Sequence, residues 1–296
     1  MSDYEMFKPL KDFKQEAEKL LPKIEEARGT VVLPLLYSMN RLIAKPDVDE
    51  IYDILLEIGE RPKIDVILFS RGGDPDQAYI IGNMLQEFAT ERLTIVVPRF
   101  AKSAATIIAC AGDELVMGPA SELGPIDLIV EKTIENKRYY ISVLSVMELI
   151  RMIREGIFGD ATPKVLELIN KQLAFTEFGD YGRLMEHTID LASRLLKRRT
   201  FKDNPDMAVR VAGELCKGWK SHNAAIIGPD LEGKLKLISP NSKEWREPWK
   251  LIWKLHRLWV NTVIEFENIL QPPGFPLKPL NIRVGKGIVF CVKPEV

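Results

Sequence analysis

A run of alternating strand-type and helix-type segments between Ile64 and Met117 constrains this 296-residue chain more than any other feature. A β-branched apolar run, Ile64 to Phe69, stops at the turn Ser70-Arg71-Gly72-Gly73. A helical pattern follows, with Ala78, Ile81, Leu85 and Phe88 recurring on one face. A second β-type run, Leu93 to Val97, leads through a loop to a small-residue segment that opens at Ser103, and a third run, Glu114 to Met117, comes next. Strand, helix, strand, helix, strand with such connections specifies a parallel sheet in an α/β protein.

Both connections carry chemistry. Asp74 is a good helix N-cap, Pro75 suits the first helical position, and Gln77 stands where a capping box places it. The diglycine between strand and helix lets a ligand approach the main chain closely, beside a helix N-terminus that favours negative charge. In the second connection Ala104, Ala105, Ala109 and Ala111 are small enough for a helix to pack tightly on the sheet. Ser103 then has a free amide immediately after it, at Ala104. A nucleophile, an adjacent donor and a glycine donor across the turn are the minimum parts of an acyl-transfer site. Taken singly, the serine reads as a simple N-cap and the glycines as a simple turn. Their combination 30 residues apart, inside one βαβαβ run, is what points to chemistry.

The SRGG turn ahead of a serine in a small-residue helix resembles the Clp protease proteolytic subunit and signal peptide peptidase A. More closely, the VPRFAKSAATIIACAGDELVM string followed by SELGPID resembles the serine dehydrogenase proteinase family, a group with the ClpP/crotonase fold. The likeness covers Asp65 to Asp127 and resumes over Leu195 to Ile226. It implies Ser103 as nucleophile, the amides of Gly73 and Ala104 as oxyanion hole, and Gly72 and Arg71 as substrate-binding positions, Arg71 toward an anionic group. Three departures stand out: Phe69-Ser70-Arg71-Gly72-Gly73 replaces the family's His-Thr-Pro-Gly-Gly, Leu128 and Ile129 replace Pro-Gln, and Ser221-His222-Asn223-Ala224-Ala225-Ile226 replaces Thr-His-x-x-Pro-Ile.

The serine needs a general base. Of the 3 histidines, His187 and His256 lie inside helical patterns and read as surface or packing residues. His222 sits in a short loop and matches the family's histidine. The competing partner is a lysine, Lys137 or Lys132, after the third strand, as in Ser-Lys dyads of signal peptide peptidase A relatives; their charged neighbours favour a solvated hairpin with its turn at Asn136-Lys137. Lys102 reads as a surface charge. Asp127, 24 residues after Ser103, either orients a base or caps a turn after Pro125.

The rest of the chain supplies context. With 41 basic against 42 acidic residues, nucleic acid is not an expected obligatory partner. Three dispersed cysteines argue against a disulfide framework or structural zinc and suit a reducing compartment. No signal sequence or transmembrane segment is visible, so a cytoplasmic location is expected, although many members of the resembled family are membrane-associated. Residues 1–28 read as an N-terminal helical segment, broken or kinked at Pro22, and 29–142 as the ClpP/crotonase-like catalytic core, with an edge or entry strand over Gly29 to Met39. Residues 143–240 read as a helical region completing the core, with helices over 143–156, 162–177, 181–197 and 204–216. Residues 241–296 read as a tryptophan-rich helix and tail, the helix ended by Pro272-Pro273, with Trp245, Trp249 and Trp253 on one face as packing or as a partner or membrane surface.

The expectation is an α/β, ClpP/crotonase-like parallel sheet built from ββα units with a helical C-terminal extension. It would act as a serine-type peptide hydrolase on a peptide or protein substrate, with no cofactor and no metal, and the family likeness implies a homo-oligomer. Two other classes use the same features: a crotonase-type acyl-CoA enzyme, and a catalytically silent scaffold or adaptor.

Overall fold

The computed structural model describes residues 3–134, 137–172, 175–270 and 277–294. Some side chains within its helices and strands, that of Lys137 among them, fall outside what it describes, as do Asn136 and Pro272-Pro273. Helix α1 (Asp3–Arg28) precedes β1 (Val31–Tyr37), α2 (Lys45–Ile58), β2 (Arg61–Phe69), α3 (Pro75–Phe88) and β3 (Ala89–Val97). Short β4 (Phe100–Ala101), α4 (Ala104–Ala109), β5 (Glu114–Met117) and β6 (Glu122–Leu123) follow. A hairpin, β7 (Ile129–Ile134) and β8 (Lys137–Ser142), leads into α5 (Val143–Arg154), α6 (Thr162–Gln172), α7 (Phe175–Arg198) and α8 (Pro205–Lys217). The chain closes with β9 (Leu237–Ile238), α9 (Arg246–Leu270), β10 (Leu277–Val284) and β11 (Gly287–Pro294).

The main sheet runs β10-β11-β1-β2-β3-β5-β9, parallel throughout except for the β10–β11 hairpin. Its strands are apolar on both faces, as a parallel sheet covered by helices on both sides requires. Alternate residues divide between two cores. Leu33, Leu35, Val66, Leu68, Ile95 and Val97 face a core shared with α2, α3, α4, α7 and α8. Val32, Leu36, Ile67, Phe69, Val96 and Val116 face a second core shared with α1 and α9.

Two expectations are corrected. β1 is an interior strand, because β11 pairs with it in parallel at Leu35–Ile288 and carries the sheet one hairpin further. And α1 runs unbroken through Pro9 and Pro22. The missing backbone bonds are offset by burial of Phe13, Leu20, Leu21 and Ile24 in the core shared with α9, where the tilted Phe13 ring lies 5.0 Å from that of Trp259. The tryptophan helix is a packing element at its inner positions: Trp245 and Trp259 are fully buried.

His256 lies in this second core, 3 % exposed, with its ring 4.7 Å from that of Phe69. Burial first, then the charges of Arg257 and Arg99, push its pKa down from 6.5 to about 4. The unfolded chain therefore binds a proton more readily than the folded one between those two values, so stability present above pH 6.5 is lost as pH falls through about 4. The expected loss traceable to His256 is about 3 kcal/mol. Urea denaturation at pH 7 and pH 4 checks this: His256→Leu should flatten that part of the wild-type pH dependence, and an unchanged slope would contradict it.

Candidate active site

The site forms where β2 and the β4–α4 connection leave the sheet side by side. The Ser70 amide donates to the Phe100 carbonyl at 3.3 Å and the Lys102 amide to the Ser70 carbonyl at 3.0 Å, which fixes the diglycine turn against the start of α4. Gly72 and Gly73 adopt φ of +101° and +151°, the left-handed range that side chains avoid. They are also crowded: a Cβ on Gly72 would lie 2.9 Å from Ser103 Cβ and 3.0 Å from the Ala104 nitrogen, and one on Gly73 would meet the main chain of Ile43. The turn and the serine are thus in direct contact.

Ser103 has φ 50° and ψ −123° and makes no side-chain cap to its helix, so the N-cap reading does not describe it. Among the described residues it alone departs from negative φ without being glycine. A serine held in that strained conformation, with Thr106 N bonded to its carbonyl at 2.8 Å, is positioned for something other than helix initiation. The Ala104 amide, in the first helical turn, lacks an intrahelical acceptor. The Gly72 amide is taken by Ser70 Oγ at 3.0 Å, whereas the Gly73 amide donates to no protein group among the described residues.

Asp127 connects the serine to a histidine. Its carbonyl accepts from Ser103 Oγ at 3.2 Å. Its buried carboxylate lies 3.3 Å from His222 Nδ1, an ion-pair approach short of an aligned hydrogen bond. The same carboxylate accepts from Ser142 Oγ at 2.6 Å and the Leu144 amide at 3.2 Å, so it is anchored at the start of α5. The alternative of a cap on its own turn is therefore corrected: Asp127 faces the histidine and α5. His222 is a quarter exposed, with the aspartate behind it.

The remaining candidates are not brought to this place. His187 pairs with Asp76 on the surface at 2.8 Å, and His256 is buried on the opposite face of the sheet. Burial raises the pKa of Cys216 and Cys291 to about 12 and pushes Cys110 up further, so none supplies a thiolate at neutral pH. Arg71 is exposed and donates to the Met39 carbonyl at 3.0 Å. Lys137 lies in β8 opposite Ile134, with its side chain outside the described set. Lys102 is not a free surface charge: its ammonium reaches Ala224 O at 3.1 Å, Leu123 O at 3.3 Å and Glu122 Oε2 at 3.1 Å. The sequence reading also passed over Ile43, whose amide donates to Gly72 O at 2.9 Å and whose carbonyl accepts from Asp74 N at 3.0 Å, and Ser142. Nothing in their local sequence marks them, because their roles depend on contacts across the fold.

Residues 11–148 match the sequence model of the ClpP-like SDH-type serine proteinases. Over that segment the chain is similar to this family. The matched segment contains Gly73, Ser103, Ala104 and Asp127; His222 lies beyond it. Two curated relatives, both uncharacterized proteins of Methanocaldococcus jannaschii, are 28% and 29% identical over 119 residues. Each match takes in 37% of this chain, and the chain spans only 40% and 41% of the relatives' length. Among solved structures, a mutant of the 1510-N membrane-bound stomatin-specific protease is 14% identical, with a TM-score of 0.44 over 74% of this chain and 84% of its own. ClpP1 from Listeria monocytogenes is 11% identical, with a TM-score of 0.38 over 74% of this chain and 96% of its own. The ClpP catalytic domain from Plasmodium falciparum is 12% identical, with a TM-score of 0.39 over 76% and 91%. No described helix is long and apolar enough to cross a membrane.

Proposed function

We propose that the chain is a serine-type peptide hydrolase with Ser103 as nucleophile, His222 as general base, Asp127 as its orienting carboxylate, and the Gly73 and Ala104 amides as oxyanion donors. The observation that carries this reading is the double engagement of Asp127, which holds the serine hydroxyl with its carbonyl and faces His222 with its carboxylate. With Nδ1 turned to the aspartate, Nε2 is the nitrogen left to take the serine proton.

The steps follow from that arrangement. The Ser103 hydroxyl turns from the Asp127 carbonyl to His222 and gives up its proton as Oγ bonds to the scissile carbonyl carbon. The carbonyl oxygen becomes an oxyanion received by the two amides, which donate to no other protein group among the described residues. On collapse His222 returns the proton to the leaving amine, and the C–N bond breaks. Water, deprotonated by the same histidine, then releases the acyl group and regenerates the serine. Arg71, exposed beside the turn, would meet an anionic group of the substrate. Lys137 stays the competing base of this reading.

A homo-oligomer is part of this reading, supported by exposed apolar side chains along the hairpin and the α5–α6 region: Tyr140, Ile157, Leu166 and Leu168. A fluorophosphonate probe tests the nucleophile. Covalent labelling is expected at Ser103 in the wild type, lost in Ser103→Ala and reduced about 10³-fold or more in rate in His222→Ala. Absence of labelling in the assembled protein, together with binding of CoA thioesters, would favour the acyl-CoA alternative.

A further inference from the structure

Lys102 occupies a position that neither the family match nor the hydrolytic scheme uses. Its backbone joins the two halves of the site: the amide donates to Ser70 O at 3.0 Å, ahead of the diglycine turn, and the carbonyl accepts from Ala105 N at 2.9 Å, behind the nucleophile. Its side chain runs the other way. The stem passes over Gly124, where an added Cβ would fall 2.4 Å from Lys102 Cδ, so only glycine leaves it room. The ammonium then ends among three acceptors: the Ala224 carbonyl at 3.1 Å, the Leu123 carbonyl at 3.3 Å and the Glu122 carboxylate at 3.1 Å. An ammonium has three donors, and all three are matched.

Ala224 is two residues from His222, in a loop with few other ties. The loop closes on itself through Ala224 N to Ser221 O at 3.0 Å, and is bound to β6 by the paired Leu123–Ile226 main-chain bonds at 2.8 and 3.0 Å. We propose that Lys102 is a positioning residue, whose ammonium holds the His222 loop in register with Ser103. This rests on the reading of Ser103 and His222 as nucleophile and base. The physical content is specific. An uncharged, donor-free side chain leaves the Ala224 and Leu123 carbonyls without this partner, while Glu122 keeps Arg99 at 2.9 Å. The histidine loop, rather than the acidic strand, is what loosens.

The test uses the full chain as wild type, Lys102→Met, His222→Ala and the double variant. Lys102→Met should lower kcat for peptide hydrolysis by about 10²-fold with KM little changed, the effect of displacing a catalytic group by about an ångström. In the His222→Ala background the same substitution should cost no more than about twofold, since coupled residues are non-additive. A second readout is independent of turnover: with only 3 histidines in the chain, the His222 Cε1–H resonance should shift in Lys102→Met while those of His187 and His256 stay in place. Equal losses in both backgrounds, or an unmoved His222 resonance, would overturn the proposal. If no peptide is cleaved by the wild type, the hydrolase reading fails and the resonance still decides whether Lys102 positions the histidine. If Lys102→Met does not fold, Lys102→Gln, which retains two N–H donors, takes its place, with a smaller but same-direction change expected and none overturning the proposal.

Discussion

Replacing Ser103 with glycine is expected to stabilise the protein while removing the proposed hydrolysis. The serine sits at φ 50° and ψ −123°, where a side chain costs about 1–3 kcal/mol and glycine is at ease. Glycine returns part of that gain through the greater freedom of its unfolded chain, roughly 0.5–1 kcal/mol. A net gain of about 1 kcal/mol remains. Ser103→Ala is the informative partner: it removes the same hydroxyl but retains a Cβ, and so keeps the strain. Urea denaturation should rank Ser103→Gly above both Ser103→Ala and wild type, while both variants lose hydrolysis by about 10⁶-fold. A glycine variant no more stable than the alanine one would show that the strain is not held at this residue. The expected trade is a stability cost kept at the residue proposed as nucleophile.

The second large effect is expected at Gly73. Its φ of +151° already excludes most side chains, and a Cβ there would fall 2.3 Å from the Ile43 carbonyl oxygen and 2.4 Å from the Ile43 nitrogen. These are main-chain atoms locked by the bonds from Ile43 N to Gly72 O and from Asp74 N to Ile43 O, so they cannot yield as a flexible side chain would. Gly73→Ala should therefore lose about 3–5 kcal/mol, the range reserved for named packing or backbone failures. Gly59→Ala is the control. It has a positive φ of +69° but nothing within 4 Å of the added carbon, so it should cost only about 1 kcal/mol. Similar losses at the two positions would mean that backbone conformation, and not the Ile43 contact, governs the turn.

Much of this was legible in the residues themselves. The βαβαβ run, the hairpin after Asp127 and the four helices that follow come from apolar periodicity, which local sequence records directly. Ser103 and the diglycine are marked by residue type and spacing. The Asp127–His222 approach is different. It joins residues nearly a hundred positions apart, and only the family likeness drew attention to both. Lys102 was misread because a lysine beside charged residues ordinarily faces water; the glycine at 124 that makes room for its stem reveals itself only once the two strands are side by side. β1 was misplaced at an edge for a related reason, since its covering strand comes from the far end of the chain.

That last pairing bears on how the protein is made. Leu35 of β1 aligns with Ile288 of β11, about 250 residues later. During synthesis, the segment bearing the diglycine turn and Ser103 leaves the ribosome long before the strand that shields β1. In the interval β1 presents an open row of amides and carbonyls, and non-local pairing of this kind is slow to form. The nascent chain thus exposes its diglycine turn and Ser103 well ahead of the seal, and a strand that emerges about 250 residues later is the one that removes an exposed edge from the core.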